Sequence, residues 1–247
     1  MKVSIILCAQ NSEKYIKKTI DSILVQSYQD FELIIILNCS YDTTEQIIKS
    51  YNDPRIFLYK TIIGQLSFNL NYGLNLAKGE YIVRIDADDV ANKDRIAKQL
   101  EIIETFNYDV VGSNINYINE KGQFLKYHTF PEKNNQIRKK ILFQSVIAHP
   151  SVMIKKSVLL SVSGYLGGRY AQDYDLWLRL MRDKDILFYN IQEPLVEYRI
   201  HQLQSRGNKN SYAEVSGYFF KEMLYTHKIK YIIGTIVYTV KSIFFGK

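Results

Sequence analysis

Apolar and polar positions along this 247-residue chain fall into two textures, regular over roughly the first hundred residues and irregular after them. Residues 3–8 are a short, unbroken apolar run, the pattern of a strand buried on both faces. After a turn at Gln10-Asn11-Ser12, helical spacing of Tyr15, Ile16, Thr19, Ile20, Ile23 and Leu24 predicts a helix over 13–26 with Ser12 as its cap. Residues 31–37 repeat the buried-strand pattern. A loop over 38–42 leads into a helix reaching 51, Asp53-Pro54 stops it, and 56–59 is a third strand. A helix over 65–77 and the turn Lys78-Gly79-Glu80 lead into a fourth strand from Tyr81. Four alternations of strand and helix predict right-handed βαβ units and a parallel sheet. Another amphipathic helix covers 93–106.

Beyond Asp109 the periods shorten. Residues 110–117 and 123–128 predict a hairpin around Asn119-Glu120-Lys121-Gly122. Strands are expected at 151–154, 186–190 and 195–200, and a helix at 173–181. Two helical stretches close the chain between 212 and 245. The last is apolar at Ile229, Ile232, Ile233, Ile236, Val237, Val240, Ile243 and Phe244, but only ten residues separate Lys230 from Lys241. That is about half the length of about 20 residues that a membrane span needs.

Composition narrows the class. A hydrophobic content of 47% is that of a packed globular protein. Cys8 and Cys39 fall in or just after central strands, and two buried thiols in a chain with no evident secretory leader predict a reducing, cytoplasmic setting. The net charge is +7, and Lys228, Lys230, Lys241 and Lys247 supply four of those charges with no acid beyond Met223. A basic tail beside an amphipathic helix predicts peripheral contact of residues 228–247 with an anionic membrane face, and docking on the domain or a dimer contact is the alternative. Nucleic acid is not expected as a partner, since neither zinc-finger spacing nor an RNA-binding signature is present.

The chemistry concentrates at Tyr81-Ile82-Val83-Arg84-Ile85-Asp86-Ala87-Asp88-Asp89. A buried strand runs into three carboxylates, which repel unless something positive joins them. Ligands of open α/β sheets bind beyond the carboxyl ends of the strands, and hard oxygen ligands suit Mg²⁺ or Mn²⁺. A metal–diphosphate site at Asp86 and Asp88 is one reading, and an acidic turn capping the next helix is the other.

Four segments read together extend this: Ser4 to Asn11, Glu32 to Asp42, Asp86-Ala87-Asp88-Asp89 with Arg95, and Ala171 to Leu180. With His149-Pro150, Gly164-Tyr165 and Tyr198-Arg199-Ile200-His201 they resemble, in order and spacing, the family-2 glycosyltransferases of GT-A fold, across about residues 1–205. The resemblance implies a Rossmann-like, mostly parallel α/β sheet flanked by helices. It implies a nucleotide-sugar-binding half at 1–108, an acceptor-binding half at 109–205 and a C-terminal helical segment at 206–247. By the same resemblance Ala9, Gln10, Asn11 and Asn38 hold the base, and Asp86, Ala87 and Asp88 hold ribose and the metal–diphosphate. Asp173 is the catalytic base. His201, at the end of a strand, is a further candidate to complete the metal shell. The implied activity is inverting, metal-dependent transfer from a nucleotide-diphosphate sugar, a UDP-sugar foremost. The acceptor is a glycan or polyprenyl-linked oligosaccharide of a bacterial surface polymer, and the enzyme lies on the inner face of the membrane.

The residues bear on those roles directly. A leaving diphosphate needs a bridging cation, and an attacking hydroxyl needs one positioned base. Asp173 could also simply cap its helix, Asp175 reads as structural or acceptor-side, and Trp177 and Leu178 as core. His149 reads as a hydrogen-bonded structural histidine beside the acceptor cleft, and Arg95 as a partner of the aspartates. Asn38 stands where the family commonly has an acid, and Gln172 where it has a glutamate before the base. These departures keep open a non-catalytic, degenerate transferase. A sugar nucleotidyltransferase is disfavoured, because Ala9-Gln10-Asn11-Ser12 lacks the glycines of a phosphate loop.

Overall fold

The computed structural model describes residues 1–201 and 208–245. The expected boundary at 205/206 and the end of the basic tail, Lys247 included, lie outside those residues.

The front half folds as the apolar runs dictate. Strands β1 (Val3–Ala9), β2 (Phe31–Asn38), β3 (Ile56–Thr61) and β4 (Tyr81–Asp86) alternate with helices α1 (Ile16–Leu24), α2 (Thr44–Lys49) and α3 (Leu66–Leu76). They pair in parallel in the order β3-β2-β1-β4, so the carboxyl ends of β1, β2 and β4 lie side by side. Every residue of β2 is buried, which explains its lack of alternation. One face of these strands packs Ile6, Ile34, Ile36 and Ile82 against α3, and the other packs Ile5, Leu33, Ile35 and Val83 against α1 and α4 (Arg95–Thr105). Gly79 is required where β1 meets the turn before β4, because a Cβ there would lie 2.6 Å from the Ser4 amide nitrogen.

The sheet then continues across β4. A short β5 (Val90–Ala91) follows the acidic loop, and the predicted hairpin is β6 (Val110–Ile118) with β7 (Phe124–His128). Strand β8 (Met153–Lys155), which follows a 3₁₀ turn at His149–Ser151, pairs antiparallel with both β4 and β6. The strands expected at 186–190 and 195–200 are one strand, β9 (Phe188–Arg199). Its pairing with β6 skips register near Asn114 and Pro194, where the proline has no N–H to give. Two helices absent from the expectation, α5 (Asn134–Lys140) and α6 (Lys156–Ser161), connect these strands. Cys8 and Cys39 are free and only partly buried, not fully buried as expected.

Helix α7 (Gln172–Leu180) carries Asp173 and buries Leu176, Trp177 and Leu178, as expected. Helices α8 (Lys209–Thr226) and α9 (Tyr231–Phe244) form a hairpin against it, with Phe219, Tyr231 and Tyr238 in the core. The opposite side of α9 exposes Ile232, Ile233, Ile236, Val240, Ile243 and Phe244. Among the described residues no helix is long and apolar enough to cross a membrane.

Candidate active site

Strand alternation puts Arg84 and Asp86 on the same face of β4. The Arg84 guanidinium, itself buried, grips the Asp86 carboxylate bidentately, Nη1 at 2.7 Å from Oδ2 and Nη2 on Oδ1. The loop that follows is held from two sides. The Thr19 hydroxyl of α1 lies 2.9 Å from the Ala87 carbonyl and 2.7 Å from that of Asp89. Arg199, at the end of β9, donates its amide to Asp89 Oδ1 at 2.9 Å and its Nε to the Asp88 carbonyl at 2.8 Å. The next residue but one, His201, brings Nε2 to 2.8 Å from Asp88 Oδ2. Arg95 does not fill the expected role. It is buried, donates to the Arg84 carbonyl at 2.8 Å and to Gln99 Oε1 at 3.1 Å, and so braces β4 without pairing with an aspartate. Burial brings its guanidinium down to about 9, against a partial pull upward from Asp89.

The donor set fits a divalent cation. One oxygen from each of Asp86, Asp88 and Asp89 lies within 4.8 Å of the others. Burial pushes the Asp86 and Asp89 carboxyls up, Asp89 well above the ordinary range. The charge of Asp88 adds to both, while Arg84 pulls Asp86 back. Asp89 Oδ2 is buried with no hydrogen-bond partner, which a cation would satisfy.

Asp173 faces the same space from the other side. A cleft of about 650 Å³ is lined by Arg84, Asp86, Asp88, His149, Asp173 and His201, with Tyr238 and Lys241 of α9 on its wall. Burial raises the Asp173 carboxyl, while the Tyr174 amide and the Arg84 charge oppose the shift. Asp173 is not the helix cap, which is Ala171. His149 is buried, its Nε2 3.3 Å from the Tyr165 hydroxyl. Burial and the Arg84 charge hold it well below the ordinary imidazole value, so it stands neutral. Asn71 of α3 pins Tyr165 from both backbone sides at 2.8 Å. Asp175, buried, takes Arg179 Nε and Lys221 Nζ at 2.6 Å each and is structural.

The residues expected at the base form a neighbouring group. Ala9 is the last residue of β1 and Asn38 the last of β2; Gln10 is exposed. Asn11 has φ +46° and ties the two turns together, its amide donating to Ser40 Oγ at 3.0 Å and its Oδ1 accepting from the Tyr41 amide at 2.9 Å. A separate cavity of about 490 Å³ at the ends of β2 and β3, lined by Glu45, Lys60 and Phe68, contains none of the expected site residues.

Among the described residues seven buried side-chain polar atoms lack a hydrogen-bond partner. Four of them, Asn38 Oδ1, Arg84 Nε, Asp89 Oδ2 and Gln172 Oε1, lie at the end of β2, in β4, in the acidic loop and at the start of α7. Arg84 and Arg199 escaped the sequence reading as site residues, although an arginine two positions before an aspartate on one strand was a usable signal.

The chain is similar to known proteins in structure and in sequence. A crystal structure of Staphylococcus aureus TarS residues 1–349 in complex with UDP-GlcNAc superposes with a TM-score of 0.78 at 19% identity, over 100% of this chain and 74% of that one. The mannosyltransferase PcManGT from Pyrobaculum calidifontis, in complex with GDP-Man and Mn²⁺, superposes with a TM-score of 0.63 at 15% identity, over 97% and 73%. Both likenesses establish the GT-A fold. In sequence the chain is 37% identical over 246 residues to the O-antigen biosynthesis glycosyltransferase WbnJ of Escherichia coli, covering 98% of this chain and 96% of the relative. The glycosyl transferase family 2 model matches residues 4–159, and with that relative it shows that this chain is a glycosyltransferase of family 2.

Proposed function

We propose that this glycosyltransferase moves a sugar from a nucleotide-diphosphate sugar, a UDP-sugar foremost, onto a glycan or polyprenyl-linked acceptor, with inversion at the anomeric carbon. The observation that carries the reading is the convergence of Asp86, Asp88, His201 and Asp173 on one cleft. TarS, a structural likeness, binds UDP-GlcNAc, and PcManGT binds GDP-Man with Mn²⁺; WbnJ is named for O-antigen biosynthesis.

Residues 1–108 supply the donor side in this reading. The base lies on Ala9, Gln10 and Asn11 against Asn38, whose buried Oδ1 is unpartnered and ready to accept an N–H. Ribose and diphosphate lie over Asp86, Ala87 and Asp88. Asp86 and Asp88, with Asp89 Oδ2 beside them and His201 as a further ligand next to Asp88, would hold Mn²⁺ or Mg²⁺, which when bound neutralises charge on the departing diphosphate. Asp173 accepts the proton of the attacking acceptor hydroxyl. Its raised carboxyl makes it a better proton acceptor than an ordinary aspartate, and a single base suits direct, inverting displacement. Residues 109–205 frame the acceptor. The exposed apolar side of α9, preceded by Lys228 and Lys230, suits peripheral contact with an anionic membrane that carries a lipid-linked acceptor.

Thermal unfolding against a panel of nucleotide sugars, with and without Mn²⁺, tests the donor site. A ligand at about 100 times its Kd adds about 2.7 kcal/mol, or roughly 5–10 °C for a chain this size. A metal-dependent shift confined to one nucleotide family is expected. Absence of a shift with every nucleotide sugar, metal present, would overturn the reading.

A further inference from the structure

The segment between Tyr165 and α7 presents four consecutive backbone N–H groups with partners outside their own loop. Gly168 donates to the Tyr218 hydroxyl at 2.6 Å. Arg169 donates to Glu214 Oε1 at 2.9 Å, and Tyr170 and Ala171 donate to Glu214 Oε2 at 3.0 and 2.9 Å. The Tyr218 hydroxyl itself donates to Glu214 Oε2 at 3.2 Å. Both acceptors come from α8, about forty-five residues later in the chain, and one turn of helix spaces them to face the loop together. A carboxylate in a cradle of successive amides is a strong, charge-assisted arrangement.

The loop is shaped for this carboxylate. A Cβ on Gly168 would lie 2.7 Å from Glu214 Oε1, and one on Gly167 would lie 2.4 Å from Gln172 Cα. Two adjacent glycines therefore let the chain pass between Glu214 and the first turn of α7. The last amide held, that of Ala171, belongs to the cap of α7, and Asp173 follows two residues later.

We infer that Glu214 is a positioning residue: its carboxylate fixes the loop 168–171 and through it sets Asp173 against the cleft. This rests on the reading of Asp173 as the base. It also makes the C-terminal hairpin, which lies outside the matched residues 4–159, part of the catalytic apparatus.

The test compares Glu214→Ala, Glu214→Gln and Arg182→Met in transfer and in donor binding. Arg182 makes a separate ion pair from the body to the hairpin, to Glu222, without touching the loop. For Glu214→Ala, kcat is expected to fall by about 10²-fold, the cost of a misplacement of about 1 Å. Donor KM and the donor-induced thermal shift stay within about twofold. Glu214→Gln, which keeps acceptor oxygen at the cradle, recovers a large part of kcat. Arg182→Met lowers the unfolding temperature at least as much and leaves kcat within about twofold. Equal losses of kcat in Glu214→Ala and Arg182→Met, or no loss in Glu214→Ala, would overturn the inference. The base reading has its own failure: Asp173→Asn retaining transfer at the wild-type rate. If Asp173→Asn is inactive while Glu214→Ala is not, only the role of Glu214 falls.

Discussion

The two walls of the cleft are built differently. The side proposed to take the donor rests on β4, with β1 and β2 beside it, where apolar runs are buried on both faces and Asp86 stands at a strand end. The side that carries Asp173 is also packed on apolar residues, Leu176, Trp177 and Leu178 among them, but its loops are set by polar contacts between remote segments. Arg179 joins Asp175 to the carbonyl of Gly164, Arg182 joins Glu222, and Glu214 holds the loop before α7. Strand ends set the first, and side-chain hydrogen bonds to remote loops set the second. The first tolerates change at its surface and is sensitive in its core. In the second, a polar substitution at the loop before α7, unlike one at Arg182, can alter chemistry without unfolding the chain.

The largest contrast is expected from removing carboxylates on the donor wall. Asp88→Ala should abolish the Mn²⁺-dependent thermal shift and reduce transfer by about 10³-fold or more, on the scale of several kcal/mol of charge stabilisation. Calorimetry with Mn²⁺ and a nucleotide sugar checks it, and metal-dependent binding equal to wild type would refute it. Next in size is the core beneath that wall. Ile35→Ala, at a fully buried position of β2, should cost about 2–5 kcal/mol of global stability while kcat under native conditions stays close to wild type. Denaturant unfolding measures the first and a transfer assay the second. A smaller effect distinguishes the second wall. Because burial raises the Asp173 carboxyl, the proposed base role predicts that kcat falls as pH drops through a value above the ordinary aspartate range, the protonated acid being unable to accept a proton. The acid limb of the kcat–pH profile reads this, and a limb at or below the usual aspartate value would contradict it.

The same contrast explains what could be read ahead of the structure. Strands β1, β2 and β4 and the placement of Asp86 and Asp88 follow from local patterns, because a buried parallel strand announces itself as a continuous apolar run. The second wall was legible only in part. Residues 186–200 split into two expected strands because Pro194 interrupts the pattern, although β9 continues past it. Helices α5 and α6 have weak apolar periods, with Ile137 the buried residue of the first and Leu159 of the second. Arg95 was expected at the aspartates, and Arg84 holds Asp86 in its place. Helical spacing gives no information on which remote carbonyl a buried guanidinium will reach. Glu214, forty residues past Asp173, carries no local signal at all for its role.

The most direct measurement compares Asp173→Asn with the wild-type chain in single-turnover transfer, with donor affinity measured on the same samples. A base that takes the acceptor proton predicts unchanged metal-dependent donor binding and a rate lower by about 10²–10⁴-fold. Transfer by Asp173→Asn at the wild-type rate, with donor bound equally well, would contradict the assignment of the cleft.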